Sequence, residues 1–305
     1  MNTVTRTRRS NNNNILSVIP DVKGKPFNEA IEVADLNWNI ESEQLGGMET
    51  GRVAVDRKGL FTSDNRFLGD VGKDYTPSEP NEFVQTVYDL ANFSGYPVSK
   101  LGFLESKSQA IGFIDLKPLD INNDKLNVGI MIKDGFDGYT SRSYSVTMIR
   151  EICSNGMVAT KLIEQNKAKH TKGFINNHEI VFKNLMQNLN GYIERLSEQF
   201  EKYMKKPLAK PQFENFVETL FPKDKNGERT KRTQKVVEEI ERLFVRGVGN
   251  QGKTAWDAIG AIAEYETHYK TYRETERNTS DVNRFIAFSD KQNQSLTAKA
   301  MSILV

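Results

Sequence analysis

The chain has 305 residues, with 42 Lys+Arg against 40 Asp+Glu, three His and one Cys. A mean hydropathy of −0.58 and 37% hydrophobic residues describe a soluble globular chain, long enough for one large or two ordinary domains. No run approaches the ~20 apolar residues of a membrane-spanning helix, Asn11 to Asn14 stand where a signal peptide would place its apolar region, and the lone Cys153 with scattered His170, His178 and His268 excludes a disulfide scaffold or a Cys/His zinc cluster.

Residues 1–28 read as a disordered basic arm, Asn-rich and interrupted by Pro20, Gly24 and Pro26. Residues 29–175 form the expected α+β core. A short helix from Asn28 leads into a strand near Ile40, and two strands follow around Arg52 to Arg57 and Arg66 to Val71. Phe83, Val84, Val87, Leu90 and Ala91 recur at helical spacing and predict a helix over Asn81 to Phe93, capped by Ser78 or Asn81. The period then changes. Leu101 to Glu105, Ala110 to Leu116, Leu126 to Ile132 and Tyr139 to Ile149 are short β-prone runs separated by turn clusters, which predicts an antiparallel meander packed against helices. In the last run Tyr144, Val146 and Met148 alternate with Ser143, Ser145 and Thr147, so Arg142 and Arg150 share the apolar face and must line a groove or be paired.

Residues 176–277 read as helical. Phe182, Leu185, Met186, Leu189, Ile193, Leu196, Phe200 and Tyr203 mark a long amphipathic helix ending at Lys205-Lys206-Pro207. Three shorter helices follow around Phe213 to Leu220, Val236 to Phe244 and Trp256 to Tyr269, and residues 278–305 form a C-terminal tail.

Near-neutrality hides an uneven distribution of charge: +3 over residues 1–30, −6 over 31–100 and +7 over 161–235. Clustered Lys and Arg fit a polyanion partner, because they release counterions when they neutralise phosphates, and they fit equally the solvated face of a helix. Basic and aromatic residues interleave at Lys133, Tyr139, Arg142, Tyr144 and Arg150, then Lys161, Lys167, Lys169 and Lys172, and these are the candidate nucleic-acid contacts. Arg150 fits a structural ion pair equally well, with Asp115 or Glu105 as partner, and Arg142 near its strand end fits a solvated position.

Gly247 to Thr254 match the phosphate-loop pattern G-x-x-x-x-G-K-T letter by letter. The match follows a helix rather than a buried strand and leaves 51 residues for the rest of a nucleotide-binding sheet. Thr254 with Asp257 three residues on reads instead as the cap of the next helix. Asp115, Asp134 and Asp137 are the candidate carboxylates for a metal, although Asp134 to Gly138 is also the composition of a turn.

Leu68 to Pro77, the turn Phe136-Asp137-Gly138, the run Arg150 to Asn155 and the stretch Gly249 to Tyr265 resemble, in that order, the phage- and plasmid-like proteins grouped as domain of unknown function 932. Where relatives carry a His and a Ser at the turn, Phe136 and Tyr139 stand, so any catalytic role of those two positions would be missing here. The resemblance implies a mobile-element protein acting in the cytoplasm of a bacterial host. More remotely, the order of helix, meander and helix is similar to that of phage single-strand annealing recombinases, which work without ATP as rings or filaments on single-stranded DNA. The expectation is therefore a phage or mobile-element protein that binds and anneals single-stranded DNA, as a homo-oligomer and without cofactor. Two alternatives stand beside it: a metal-dependent nucleic-acid enzyme using the three aspartates, and a phage structural or host-interaction protein.

Overall fold

The computed structural model describes residues 15–104, 107–122, 124–150, 155–158, 166–168, 174–275, 278–290 and 295–304. A 3-10 turn at Ile15–Val18 precedes α1 (Phe27–Val33), and a three-stranded antiparallel sheet follows, built from β1 (Ile40–Gly46), β2 (Val53–Thr62) and β3 (Phe67–Gly72) in that spatial order. Helix α2 (Pro80–Ser94) leads into the larger sheet: β4 (Val98–Phe103), β5 (Gln109–Asp115), β6 (Leu119–Ile121), β7 (Asp124–Gly135), β8 (Arg142–Arg150), β9 (Asn155–Val158) and β10 (Asn166–Ala168). The remainder is helical: α3 (Phe174–Lys205), α4 (Lys210–Leu220), α5 (Lys231–Arg246), α6 (Ala255–Glu264) with a π-turn at Tyr265–Tyr269, α7 (Ser280–Asp290) and α8 (Leu296–Ile303). The fold is α+β, as the change of hydrophobic period along the chain indicates. Among the described residues no helix is long and apolar enough to cross a membrane.

The larger sheet runs β10-β8-β7-β5-β4, entirely antiparallel, with β6 sharing an edge of β7 with β5 and β9 sharing an edge of β8 with β10. The β7–β8 hairpin is its spine, with Ile130 opposite Val146, Ile132 opposite Tyr144 and Leu126 opposite Arg150. One face of the hairpin carries Leu126, Val128, Ile130, Ile132, Tyr144, Val146 and Met148, which join Phe83, Val84 and Val87 of α2 and Phe182 and Leu185 of α3 in the main core. The other face carries Met131 and Ile149 and is closed by Ile19 from one end of the chain and Val282 and Phe285 of α7 from the other.

That second layer departs from the sequence reading. Ile19 and Val22 are buried, so the expected arm over 1–28 is part of the packed structure from about residue 16 onward, and the expected tail over 278–305 supplies two helices. An Asn-rich neighbourhood and two prolines obscure Ile19 and Val22, whose burial depends on a sheet face made elsewhere in the chain. Arg6, Arg8 and Arg9 lie outside the described residues. Helix α2 starts one residue earlier than expected, with Glu79 as N-cap and Pro80 in its first turn. The Glu79 carboxylate accepts the Ile40 backbone N–H (3.0 Å), which ties α2 to β1.

Candidate functional site

Each end of the β7–β8 hairpin carries an arginine on the core face, and both arginines are paired. At the turn end, Arg142 Nε and Nη2 donate to Asp134 Oδ2 (2.8 and 2.5 Å), Nη2 also donates to Ser78 Oγ (3.1 Å), and Nη1 donates to Thr86 Oγ1 (3.3 Å). The guanidinium lies over the Phe83 ring at 5.9 Å. The side chains of Arg142 and Asp134 are 2% and 0% exposed. The solvated placement expected for Arg142 is therefore corrected: α2 closes over this strand end and brings Ser78 and Thr86 to the guanidinium.

The same end locks the two sheets together. The Asp137 carboxylate accepts the backbone N–H groups of Tyr139 and Thr140 and the Thr140 hydroxyl, which makes residues 137–140 a side-chain-capped turn. Tyr139, 69% exposed, donates its hydroxyl to Asp70 Oδ1 on β3 (2.9 Å), and Asp70 is also paired with Arg57. The bonds from Arg57 and then Tyr139 hold the Asp70 carboxyl below the usual carboxylate range. Phe136 is buried edge-on against Trp38 at 5.5 Å. Burial, then Asp134 and Asp137, push the Tyr75 hydroxyl up to about 12.

At the open end, Arg150 Nε donates to Asp124 Oδ2 (2.6 Å), Nη1 to Asn250 Oδ1 (3.1 Å) and Nη2 to the Gly249 carbonyl (3.1 Å). Trp256 donates its indole N–H to the same Asp124 oxygen (2.8 Å), and its ring lies 5.5 Å from the Arg150 guanidinium. Asn250 in turn donates to the Leu243 carbonyl (3.0 Å) at the end of α5. The strand end is thus bonded to the α5–α6 connection, which is the segment carrying the G-x-x-x-x-G-K-T match. Asp115 pairs with Lys23 instead (3.3 Å), and Asp124 is the partner of Arg150.

That connection is a cap and not a phosphate cradle. Thr254 accepts from the Asp257 backbone N–H, while the Asp257 carboxylate accepts the N–H groups of Gln251, Lys253 and Thr254 and the Thr254 hydroxyl. The amides that would face a phosphate are already held by a carboxylate of the same chain. Gly260 on α6 lets the helix approach this junction: a Cβ there would lie 2.6 Å from Asn250 Oδ1 and 3.1 Å from Arg150 Nη1. Gly260→Ala is expected to destabilise the protein by about 1–3 kcal/mol through overpacking, against the gain of about 1 kcal/mol that alanine normally brings to a helix interior. A thermal melt reads the sign, and a rise in Tm would refute the close approach.

Between the β6–β7 turn, the C-terminal end of α3 and the capped loop lies an open cleft of about 640 Å³. Its lining includes Asn122, Lys125, Arg150, Gln251, Lys253 and Trp256. Its carboxylates are engaged within the protein, Asp124 with Arg150 and Trp256 and Asp257 in the cap. Lys125 and Lys253 are exposed, one on the sheet side and one on the loop, and neither is ion-paired among the described residues. The end of α3 that brings Met204 into the cleft also carries Lys202 and Lys205, and Lys206 follows it.

The structure brings few of the predicted contacts together. Arg142, Tyr144 and Arg150 share the core face and are buried, while Lys133, opposite Ser143, is buried on the other face of the sheet. Tyr139 stands at the far end of the hairpin from the cleft. Lys167 lies on β10 opposite Ser143, and Lys161, Lys169 and Lys172 fall outside the described residues, as does Cys153. Of those that lie among the described residues, Arg150 alone lines the cleft. The alternative carboxylate set does not converge: Asp134 stands opposite Ala110 and Asp115 opposite Gly129, five residues apart along the β5–β7 ladder, a separation of about 17 Å at the usual strand rise of about 3.3 Å. Among the described residues no group of three His, Cys, Asp or Glu is placed to hold a metal. Sequence reasoning missed Lys125 and Lys253; the first sits in a turn-like acidic stretch, and the second belongs to the motif set aside as a cap.

A family model described as Domain of unknown function (DUF932) matches residues 67–287. No curated protein and no solved structure gives a significant match.

Proposed function

Because the chain belongs to the family described as Domain of unknown function (DUF932), whose description specifies no activity, we propose its function from the cleft: it binds single-stranded nucleic acid through the phosphate backbone. The observation that carries this reading is the pair Lys125 and Lys253, two cations without ion-pair partners among the described residues, on opposite sides of a cleft whose carboxylates Asp124 and Asp257 are already committed to Arg150 and to the helix cap. A phosphodiester placed there meets positive charge without displacing an existing ion pair, and releases its counterions in doing so. Lys202 extends the cationic surface along the end of α3, where its neighbour Lys205 is paired with Glu201 (2.8 Å).

Base recognition has little support in this cleft. Trp256 is its one aromatic residue among the described residues lining it, and the ring is buried, flanked by Arg150 and by Phe200 at a centroid distance of 5.0 Å. With no open aromatic face for stacking, the bases are left outside and available for pairing with a second strand. That fits a single-strand binding and annealing role in a phage or mobile element within the bacterial cytoplasm, with DNA as the substrate and no cofactor required.

Lys125→Ala/Lys253→Ala is expected to weaken binding of a labelled single-stranded oligonucleotide by about tenfold or more and to reduce the salt slope by about 1.4, roughly 0.7 for each phosphate no longer neutralised on a single strand. The experiment is a salt titration by fluorescence anisotropy, with single-stranded and duplex DNA, each with and without magnesium. Homopolymers of different base and an abasic oligonucleotide should bind within a few-fold of one another. Strong preference for one base would refute backbone recognition, and absence of binding at low salt would refute the nucleic-acid reading as a whole.

A further inference from the structure

The three-stranded sheet has an open edge. β1 pairs with β2 along one side, and along its other side no strand pairs with it among the described residues. Glu41 and Glu43 project from the same face of this edge and are exposed. Opposite them on β2 stand Phe61 and Gly59, so no cation faces them across the ladder, and neither is ion-paired among the described residues. An open edge normally invites pairing with another chain, and glutamates on it select the partner. Two β1 edges meeting antiparallel would set Glu43 beside Glu43, which like-charge repulsion disfavours. The strand that suits this edge carries cations two residues apart.

One segment of the sequence has that pattern. Thr3-Val4-Thr5-Arg6-Thr7-Arg8-Arg9 is rich in β-branched residues, and Arg6 and Arg8 stand two apart, matching Glu41 and Glu43. We propose that residues 3–9 of one copy add as a strand to the β1 edge of a second copy, with Arg6 and Arg8 on the face of Glu41 and Glu43. The exchange is reciprocal. Two arms and two edges close a two-fold pair with no edge left to propagate a filament. The inference stands on the edge and its charge, independently of the cleft.

Charge reversal in the full chain tests it. By sedimentation velocity the unaltered protein is expected at about twice the monomer mass at micromolar concentration and low salt, returning to monomer as salt rises. Arg6→Glu/Arg8→Glu and Glu41→Lys/Glu43→Lys should each be monomeric, because arm and edge then carry the same charge. An equimolar mixture of the two variants should recover the dimer, since each arm again meets an edge of opposite sign. Circular dichroism spectra of both variants should match that of the unaltered protein, Glu41 and Glu43 being exposed. A monomeric unaltered protein overturns the proposal, as does a dimer that survives either reversal. A mixture that stays monomeric shows the arm does not cross between copies and overturns it equally.

Discussion

Arg142→Met is expected to lower the unfolding free energy by about 3–5 kcal/mol, because it leaves Asp134 buried without its countercharge. The guanidinium fills three roles at once: it neutralises Asp134, donates to Ser78 and Thr86, and covers the face of Phe83. Removing it strands the carboxylate in a place where the pair is 0% and 2% exposed. The double replacement Arg142→Met/Asp134→Leu removes both charges and should recover most of the loss, since a buried pair often contributes little net stability over well-packed apolar groups of similar size. Urea denaturation followed by circular dichroism separates the cases. A single variant no less stable than the double would show that Asp134 is relieved by another route.

Gly69→Ala is the second large effect, expected at about 1–3 kcal/mol or more, the range for an inserted methyl group that its surroundings cannot accommodate. A Cβ at this position would lie 2.4 Å from the Asp137 carbonyl oxygen and 3.2 Å from its carbon. Both are backbone atoms of a turn already fixed by three bonds to the Asp137 carboxylate, so no rotamer change relieves the clash. The turn must lift from β3, which would break the Tyr139–Asp70 bond. Gly72→Ala on the same strand meets nothing within 4 Å and serves as the control, neutral or stabilising by up to about 1 kcal/mol through the unfolded chain. Equal melting temperatures for the two variants would show that the sheets do not touch at Gly69.

Strand parity places both arginines correctly on the core face, because polar and apolar residues alternate strictly along β8 from Ser143 to Met148. Their partners are harder to read. Asp134 reaches Arg142 directly across the hairpin, and Asp124 reaches Arg150 on the diagonal from two residues before its partner Leu126, so both depend on a register that spacing alone does not supply. The Thr254–Asp257 cap is legible because its two residues are three apart on one helix start. The cleft is not, since Lys125 and Lys253 are separated by 128 positions and meet only once the sheet end packs on the helices. Ile19 and Val22 are hidden for a related reason: they precede the first helix in a stretch of no regular period, and the surfaces that bury them are made elsewhere in the chain.

The Arg150 junction also has a timetable. Asn250 follows Arg150 by 100 residues, which at about 5–20 residues per second is roughly 5–20 s of synthesis. Asp124 precedes Arg150 and is available as soon as the β7–β8 hairpin has left the ribosome. The carboxylate can therefore hold the guanidinium inward through the interval, and the emerging α5–α6 loop meets a side chain already aimed at it. Without Asp124 the arginine would spend those seconds free to turn toward water, and the last helices would have to close over a position that had not been prepared.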